Sequence, residues 1–465
     1  MPSGSDPPAK GDEMKISNTY KLILGAGTIL MLLLACSLPL SAAAPTPTPQ
    51  PALPSSTAPA AATPPDAGSA SATPEAALPS PTPPEPVAPT KTPGGPDFSG
   101  MERIKPLTPG AKFKITFIEM QNQTGGWAIG GAQDPGSHIL ITQDGGKSWR
   151  DVSPPEPLQT GDPDAKKAHA FFLDDQTAWV TYSTRDSFLI PDETWIWFTQ
   201  DGGANWEARG GFPMSGMEEF FTISDLFFID RDNGWLLAGV GAGMSHYYAS
   251  LYRTADGGAN WERIADPSGE NPLQLCAKTG MAFGDSFTGW ITRNCMGVMD
   301  GAHVLGTGNG GALWNFFDLP PSDQDPDRFK LQGYCYSHSP QFYSPVSGSV
   351  AVTCIEYADD NSKVETSYIY TSIDSGFTWS SSGYPGGALL VLDNDFAFAL
   401  GRDIYRTHDG GASWQLVKTV NWDGQFSFVS QTHGWAVARE GDEIALVYTE
   451  NGGGKWDLIE AVIVP

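Results

Sequence analysis

Charge is scarce in this sequence, and positive charge scarcer still: only 17% of the 465 residues are Asp, Glu, Lys or Arg, with 27 Lys and Arg against 53 Asp and Glu. Only four of those cations and seven of those acids precede residue 101, so the net charge of −26 belongs mainly to the remainder of the chain. An acidic surface of that kind repels phosphate backbones and anionic headgroups, which excludes nucleic acid as a partner and adhesion of the polypeptide itself to lipid. Lysine-rich amphipathic helical patterns are missing. Instead 53 Gly, 39 Pro and 15 Trp point to many short strands and turns. Cysteine is sparse too, with five residues and no C-x-x-C pair, and the seven His are scattered, so no metal site and no cofactor are expected. The length allows two or three average domains, or one large closed all-β unit.

The N-terminal stretch carries an address. From Met14, read as the start, Lys15 and Lys21 form a basic region and Leu22 to Leu34 an apolar one, the pattern of a secretory signal. It ends in Leu33-Leu34-Ala35-Cys36, which resembles the bacterial lipobox, whose Cys is diacylated and becomes the mature N-terminus. The rival is an uncleaved transmembrane anchor, since Leu22 to Leu40 is just long enough to span a bilayer, although Pro39 counts against it. Ser41 to Pro96 then holds 17 prolines in 56 residues with no hydrophobic periodicity, so no core can form there. As polyproline II at about 3.1 Å per residue it reaches roughly 170 Å. The expected organisation is a signal peptide over 1–36, a disordered Pro/Ala/Thr-rich linker over 37–100 and a folded domain over 101–465. That places the domain outside the cytoplasm, lipid-anchored through Cys36 and surface-exposed on a bacterial membrane.

The folded part repeats one turn. T-Q-D-G-G-K-S-W at Thr142 to Trp149 recurs at Thr199 to Trp206, Thr254 to Trp261, Thr307 to Trp314, Ser372 to Trp379, Thr407 to Trp414 and Thr449 to Trp456. The acceptor position holds Asp144, Asp201, Asp256, Asn309, Asp374, Asp409 and Asn451. Its chemistry is that of a tight hairpin: the carboxylate accepts from the turn's own amides, Gly supplies positive φ, and the Trp packs back over the turn. A second signature, an apolar strand followed by Gly-Trp or a cognate, precedes most boxes: Gly126-Trp127, Ala178-Trp179, Gly234-Trp235, Gly289-Trp290 and Gly434-Trp435. Each repeat thus reads as four antiparallel strands, the first at roughly 115 to 119, 127 to 131, 138 to 142 and 148 to 152. A lone sheet of this kind cannot bury both faces, so the expectation is an all-β, seven-bladed β-propeller of four-stranded blades. Whether residues 101 to 114 or Ala461 to Pro465 add a sealing strand is open.

Cys276 and Cys295 are 19 apart, as are Cys335 and Cys354, and both pairs fall at matching positions of consecutive repeats. Two disulfides, Cys276 with Cys295 and Cys335 with Cys354, suit an exported protein; zinc is the rival reading.

The boxes, and above all the run from Gly126 through Trp149, resemble the Asp-box (bacterial neuraminidase) repeat superfamily and within it the photosystem II assembly and stability factors, over about residues 115 to 458. That resemblance implies an exported seven-bladed scaffold, sometimes lipid-anchored, that binds nascent membrane-protein components without catalysis. An arginine-rich patch of that family has no counterpart among the 12 Arg of residues 101–465. Enzymatic relatives of the same repeat make a glycoside hydrolase, sialidase-like or glucanase, acting on surface polysaccharide the alternative. A sialidase needs three Arg, a Tyr with a Glu, and an R-I-P, whereas here Arg103-Ile104-Lys105-Pro106 is interrupted. A glycosidase needs two carboxylates about 5 to 9 Å apart, and no motif singles out such a pair.

The expected function is therefore a non-enzymatic, monomeric binding scaffold with no catalytic residues. The longest loops, in the second to fifth repeats, carry Arg185, Phe188, Trp195, Met217, Tyr247, Tyr248, Tyr334 and Tyr336 to the face opposite the boxes. Aromatics and Met there suit a protein or glycan partner. The plainer alternative is that these side chains pack beneath their own loops.

Overall fold

The computed structural model describes residues 101–132, 136–158, 166–184, 195–213, 221–243, 246–265, 272–296, 299, 301–322, 333–357 and 362–465. The chain divides into two units, Met1–Glu85 and Pro86–Pro465, and all of these residues lie in the second. The expected signal peptide with Cys36, the expected linker, Arg185, Phe188 and Met217 lie outside the described residues.

The fold is an all-β propeller, with a single 3-10 turn at Pro272–Gln274 as the helical element among the described residues. Its first sheet runs through Lys114–Met120, Gly126–Gly131, His138–Thr142 and Ser148–Asp151 in chain order. The second sheet takes Lys166–Phe172, Ala178–Thr184, Ile196–Thr199 and Glu207–Arg209; the third takes Thr222–Phe228, Gly234–Gly243, His246–Thr254 and Glu262–Ala265. Two four-stranded sheets close the chain, Ala388–Val391 to Gln415–Thr419 and Asp423–Phe428 to Asp457–Ile459.

Between them the expectation of separate blades needs correction. The strands from Ala277–Phe283 to Ser380–Tyr384 belong to one nine-stranded sheet. The cause is local: Asn294, at the end of Gly289–Asn294, pairs with Tyr336 of Gly333–Ser337, and this one bridge fuses the repeats of the fourth and fifth boxes. Hydrogen bonding thus yields six sheets rather than seven among the described residues. Both cysteine pairs lie here as disulfides, Cys276–Cys295 and Cys335–Cys354.

Several inner strands are covered on both faces. All five residues of His138–Thr142 are buried, as are the first eight of Gly234–Gly243, which is why they read as continuous apolar runs rather than alternating ones. The Gly-Trp signature explains how one sheet meets the next. Trp127 stacks on Phe172, Trp179 on Phe228 and Trp235 on Phe283, the last two at 3.8 and 3.6 Å between ring centroids. Trp290 meets Phe342 at 4.1 Å, and Phe398 stacks on Phe428 at 4.2 Å where the Trp is missing. The glycine makes room for the partner ring: a Cβ at Gly234, Gly289 or Gly434 would collide with Phe228, Phe283 or Phe428 of its own sheet. Each such Phe is held between its own glycine and the preceding repeat's aromatic.

The same indoles tie to the box turns. Trp179 donates to Gly257 O, Trp235 to Gly310 O and Trp290 to Ser375 O, in each case a residue of the next repeat's box rather than of its own. Trp435 of the last sheet donates to Gly145 O of the first, so the series closes on itself. Side chains also satisfy the free edge of the first strands. Gln425 bonds both N–H and C=O of Ile118, Ser427 accepts from Met120 N, and Asp225 accepts from Met281 N.

The question of the sealing strand is answered by Val462–Val464, which adds to Ser148–Asp151 in parallel as a fifth strand of the first sheet. Among the described residues before the first strand none forms a strand; Arg103 makes an isolated bridge with Pro157, and Gly110 N donates to Ile463 O of the sealing strand.

Candidate functional site

The box turns are hydrogen-bonded in one pattern. In the first, Asp144 accepts from Ser148 N, Ser148 Oγ and Thr142 Oγ1, while Thr142 Oγ1 accepts from Gly146 N. Asp201, Asp256, Asp374 and Asp409 repeat it, and Asn309 and Asn451 keep the backbone bond through their side-chain oxygen. The Ser413 hydroxyl and amide hold Asp409 at about 2, and equivalent donors hold Asp201 and Asp374 below the usual carboxylate range. Both carboxylate oxygens of each Asp are engaged in the turn. The boxes are structural.

The expected loop residues divide. Trp195 donates its indole N–H to Glu156, which also takes Trp197 and Lys166 and is buried. Trp195 is therefore tied into a structural network. Tyr247 and Tyr248 lie in His246–Thr254, with the ammonium of Lys278 at 5.3 Å over the Tyr247 ring. Tyr334 and Tyr336 sit in Gly333–Ser337, and Tyr336 contacts the ring of His338.

On the same face, the described cavities gather at the seam between the last sheet and the first. One, of about 690 Å³, is lined by Gly110 to Lys114, Ala132, Ile444, Ala461 and Val462. The other, of about 540 Å³, is lined by Lys114, Trp422, Ala438, Glu440, Asp442, Glu443, Ile444, Ala445 and Val447. They share Lys114 and Ile444 and so form one groove with Phe113 towards one end and Trp422 towards the other.

Local structure positions its side chains. Glu440 and Glu443 are the last registered pair of Gly434–Glu440 and Glu443–Thr449, joined by Gly441-Asp442, where Gly441 takes a φ of 60° with nothing near its missing Cβ. Directly opposed residues of an antiparallel pair share a face with Cβ atoms about 4.5–5.5 Å apart. Asn421 donates to both carboxylate oxygens of Glu440 at 3.4 and 3.2 Å. Trp422 is propped edge-on against Trp456, with Phe426 beside it, and the flanking Asp423 is fixed by a bidentate pair with Arg402. An aromatic plate beside opposed carboxylates can stack a sugar ring and present groups for proton transfer. These residues escaped the sequence reading because it weighted long loops, whereas this hairpin turn is two residues long. The signal was the N-W-D run before the last sheet facing E-G-D-E at its turn.

Among the described residues no three His, Cys, Asp or Glu side chains converge as a metal site.

Comparison with protein-family models and with curated proteins finds no match. Among solved structures, the chain is similar to a PL25 polysaccharide lyase, an ulvan lyase (12% identity, 77% of this chain and 97% of that one, TM-score 0.44). It is also similar to a GH74 enzyme of Niastella koreensis (14%, 74% and 71%, TM-score 0.25) and to a Hadza microbial sialidase (12%, 62% and 71%, TM-score 0.36). Likeness at this level transfers no residue of theirs to this chain. The expectation of a non-enzymatic scaffold, with the photosystem role the resemblance implied, is nonetheless corrected here: these structures are enzymes of carbohydrate chemistry, the side of the alternative.

Proposed function

We propose that this chain is a carbohydrate-active enzyme, a glycoside hydrolase acting on a neutral polysaccharide laid along the groove between Phe113 and Trp422. The observation that carries the reading is the opposition of Glu440 and Glu443 across a two-residue turn, beside the Trp422 ring. Opposed across the strand pair, the two can act as a couple in which one carboxyl protonates the glycosidic oxygen as the C–O bond breaks. The other carboxylate then attacks the anomeric carbon or takes a proton from the attacking water. Trp422 stacks the sugar, and a chain with three acids at the groove and a net charge of −26 favours an uncharged polymer.

The finer architecture belongs to the same reading. Seven Asp-box repeats make seven units, the nine-stranded sheet being two units joined at Asn294 and Tyr336, and the propeller works outside the cytoplasm on its proline-rich tether. The test is release of reducing ends from the neutral polymers xyloglucan and mixed-linkage β-glucan. E440Q and E443Q are each expected to lower kcat at least about 100-fold with KM little changed, and W422A to raise KM. Cleavage of none of these substrates, or cleavage that survives both glutamate changes, would overturn the proposal.

A further inference from the structure

A second site stands apart from the groove, at the seam between the third sheet and the nine-stranded sheet. Across four strands of the latter, register aligns Lys278 with Arg293 and His303 with Asp318, and the intervening pair runs on from Thr292 opposite Val304. The four side chains therefore share one face, the one whose neighbouring rows bury Ile291 and Leu305 against Trp235 and Leu251 of the third sheet. Three members of the row are accounted for. Lys278 donates to the carbonyls of Tyr247, Leu275 and Cys276, one for each of its N–H groups. His303 and Asp318 bond each other at 2.8 Å, and the Asp318 side chain is 79% exposed.

Arg293 is different. It is 2% exposed, its guanidinium lies 4.0 Å over the face of Phe316, and Nε, Nη1 and Nη2 all lack an acceptor among the described residues. A guanidinium presents five donors in a planar fork, and burying it with no acceptor is among the most costly arrangements a protein can hold. The ring face offsets part of the charge but takes none of the hydrogen bonds. A second cation alongside makes the local excess positive in an otherwise acidic molecule. Burial, reinforced by Arg293, pulls Lys278 down to about 7, and burial lowers Arg293 itself to about 10.

We propose that Arg293 is the anchor of a carboxylate-binding site in this seam, its fork taking the two oxygens of one carboxylate, with Tyr247 and Tyr248 at the approach. A planar oxyanion matches the fork bidentately, which a spherical halide cannot do. The carboxylate comes either from a free small acid or from a uronic-acid residue of a glycan. The site shares no residue with the groove, so it stands whether or not the chain cleaves polysaccharide.

The test uses the full chain and needs no activity. Thermal midpoints are followed against sodium acetate, sodium glucuronate and oligoglucuronate, with sodium chloride holding ionic strength constant. A saturable rise with carboxylate is expected, lost in R293M, whose side chain fills the volume without donors. Equal response to acetate and glucuronate assigns the site to free acids; response to oligoglucuronate alone assigns it to a glycan. No saturable rise with any carboxylate, or a rise that persists in R293M, overturns the proposal. Should R293M fail to fold, line broadening of carbon-13 acetate by the wild-type chain decides: broadening relieved by competing nitrate supports the site, and no broadening by acetate with no response to oligoglucuronate refutes it.

Discussion

The box turns show a covariation inside one chain that hydrogen-bond inventory explains. Wherever the acceptor is Asp, a side-chain donor stands four residues on: Ser148, Asn205, Asn260, Thr378 and Ser413. Where it is Asn309 or Asn451, that place holds Leu313 or Lys455. A carboxylate has a second oxygen to satisfy, whereas an amide presents N–H there and leaves a donor nothing to bond. Asp144→Ala should accordingly cost about 1 kcal/mol by denaturant unfolding, the low end for lost hydrogen bonds, because the turn is exposed. The partly buried carboxylate of Asp225 behaves in the opposite sense. Asp225 is raised to about 7 by burial, which outweighs the amide of Met281. It holds its proton in the folded state through a window in which the unfolded side chain, at about 3.9, has lost it. Wild-type stability at this site therefore falls as pH climbs from about 4 to about 7. Asp225→Asn keeps an acceptor for Met281 N, so its stability relative to wild type should grow across that window and level off above it. A flat difference between pH 4 and 7 would refute the assignment.

At the scale of strands, much of the structure was legible. The first repeat's strands, placed from periodicity and turn residues, lie within a residue or so of Lys114–Met120, Gly126–Gly131, His138–Thr142 and Ser148–Asp151. What local pattern could not give was the purpose of Gly-Trp, because the ring that Trp235 covers, Phe283, is 48 residues further on. Nor could it give the fusion of two repeats, since the Asn294 to Tyr336 bridge depends on where intervening loops return the chain. The groove was hidden for a related reason: Lys114 and Glu440 come from opposite ends of the folded part. The stacking ladder predicts unequal costs for similar changes. Trp235→Ala removes a fully buried ring and should cost about 3–5 kcal/mol. Gly234→Ala should cost about 1–3 kcal/mol, because its Cβ meets the Phe228 ring, which Trp179 holds from the other side. Gly441→Ala, with open space around it, should cost about 1 kcal/mol from its positive φ alone. Equal losses at Gly234 and Gly441 in denaturant titrations would remove the steric reason given for the signature.

For the molecule as a ring, the decisive contacts join the two ends of the folded part. Ile463 is 3% exposed and packs with Trp149, Leu446 and Ile459, while its strand runs parallel to Ser148–Asp151 on the outer edge of the first sheet. Inner contacts across the same seam, through Gln425, Ser427 and the Trp435 indole, do not involve that strand. The seam is thus fastened twice, inside by side chains and outside by backbone pairing. Deleting Ala461 to Pro465 removes the outer fastening alone, exposing one strand edge and the apolar surface under Ile463, worth about 2 to 3 kcal/mol for that side chain. The shortened chain should still fold, with a lower thermal midpoint and faster hydrogen exchange concentrated in Ser148–Asp151 and Glu443–Thr449, the elements on either side of the seam. Because the groove floor includes Ala461, Val462 and Ile444, the same deletion should weaken polysaccharide binding there and leave the carboxylate response at Arg293 unchanged. Exchange that rises evenly in all six sheets would instead mean that the ring opens as one cooperative body, with no seam weaker than the rest.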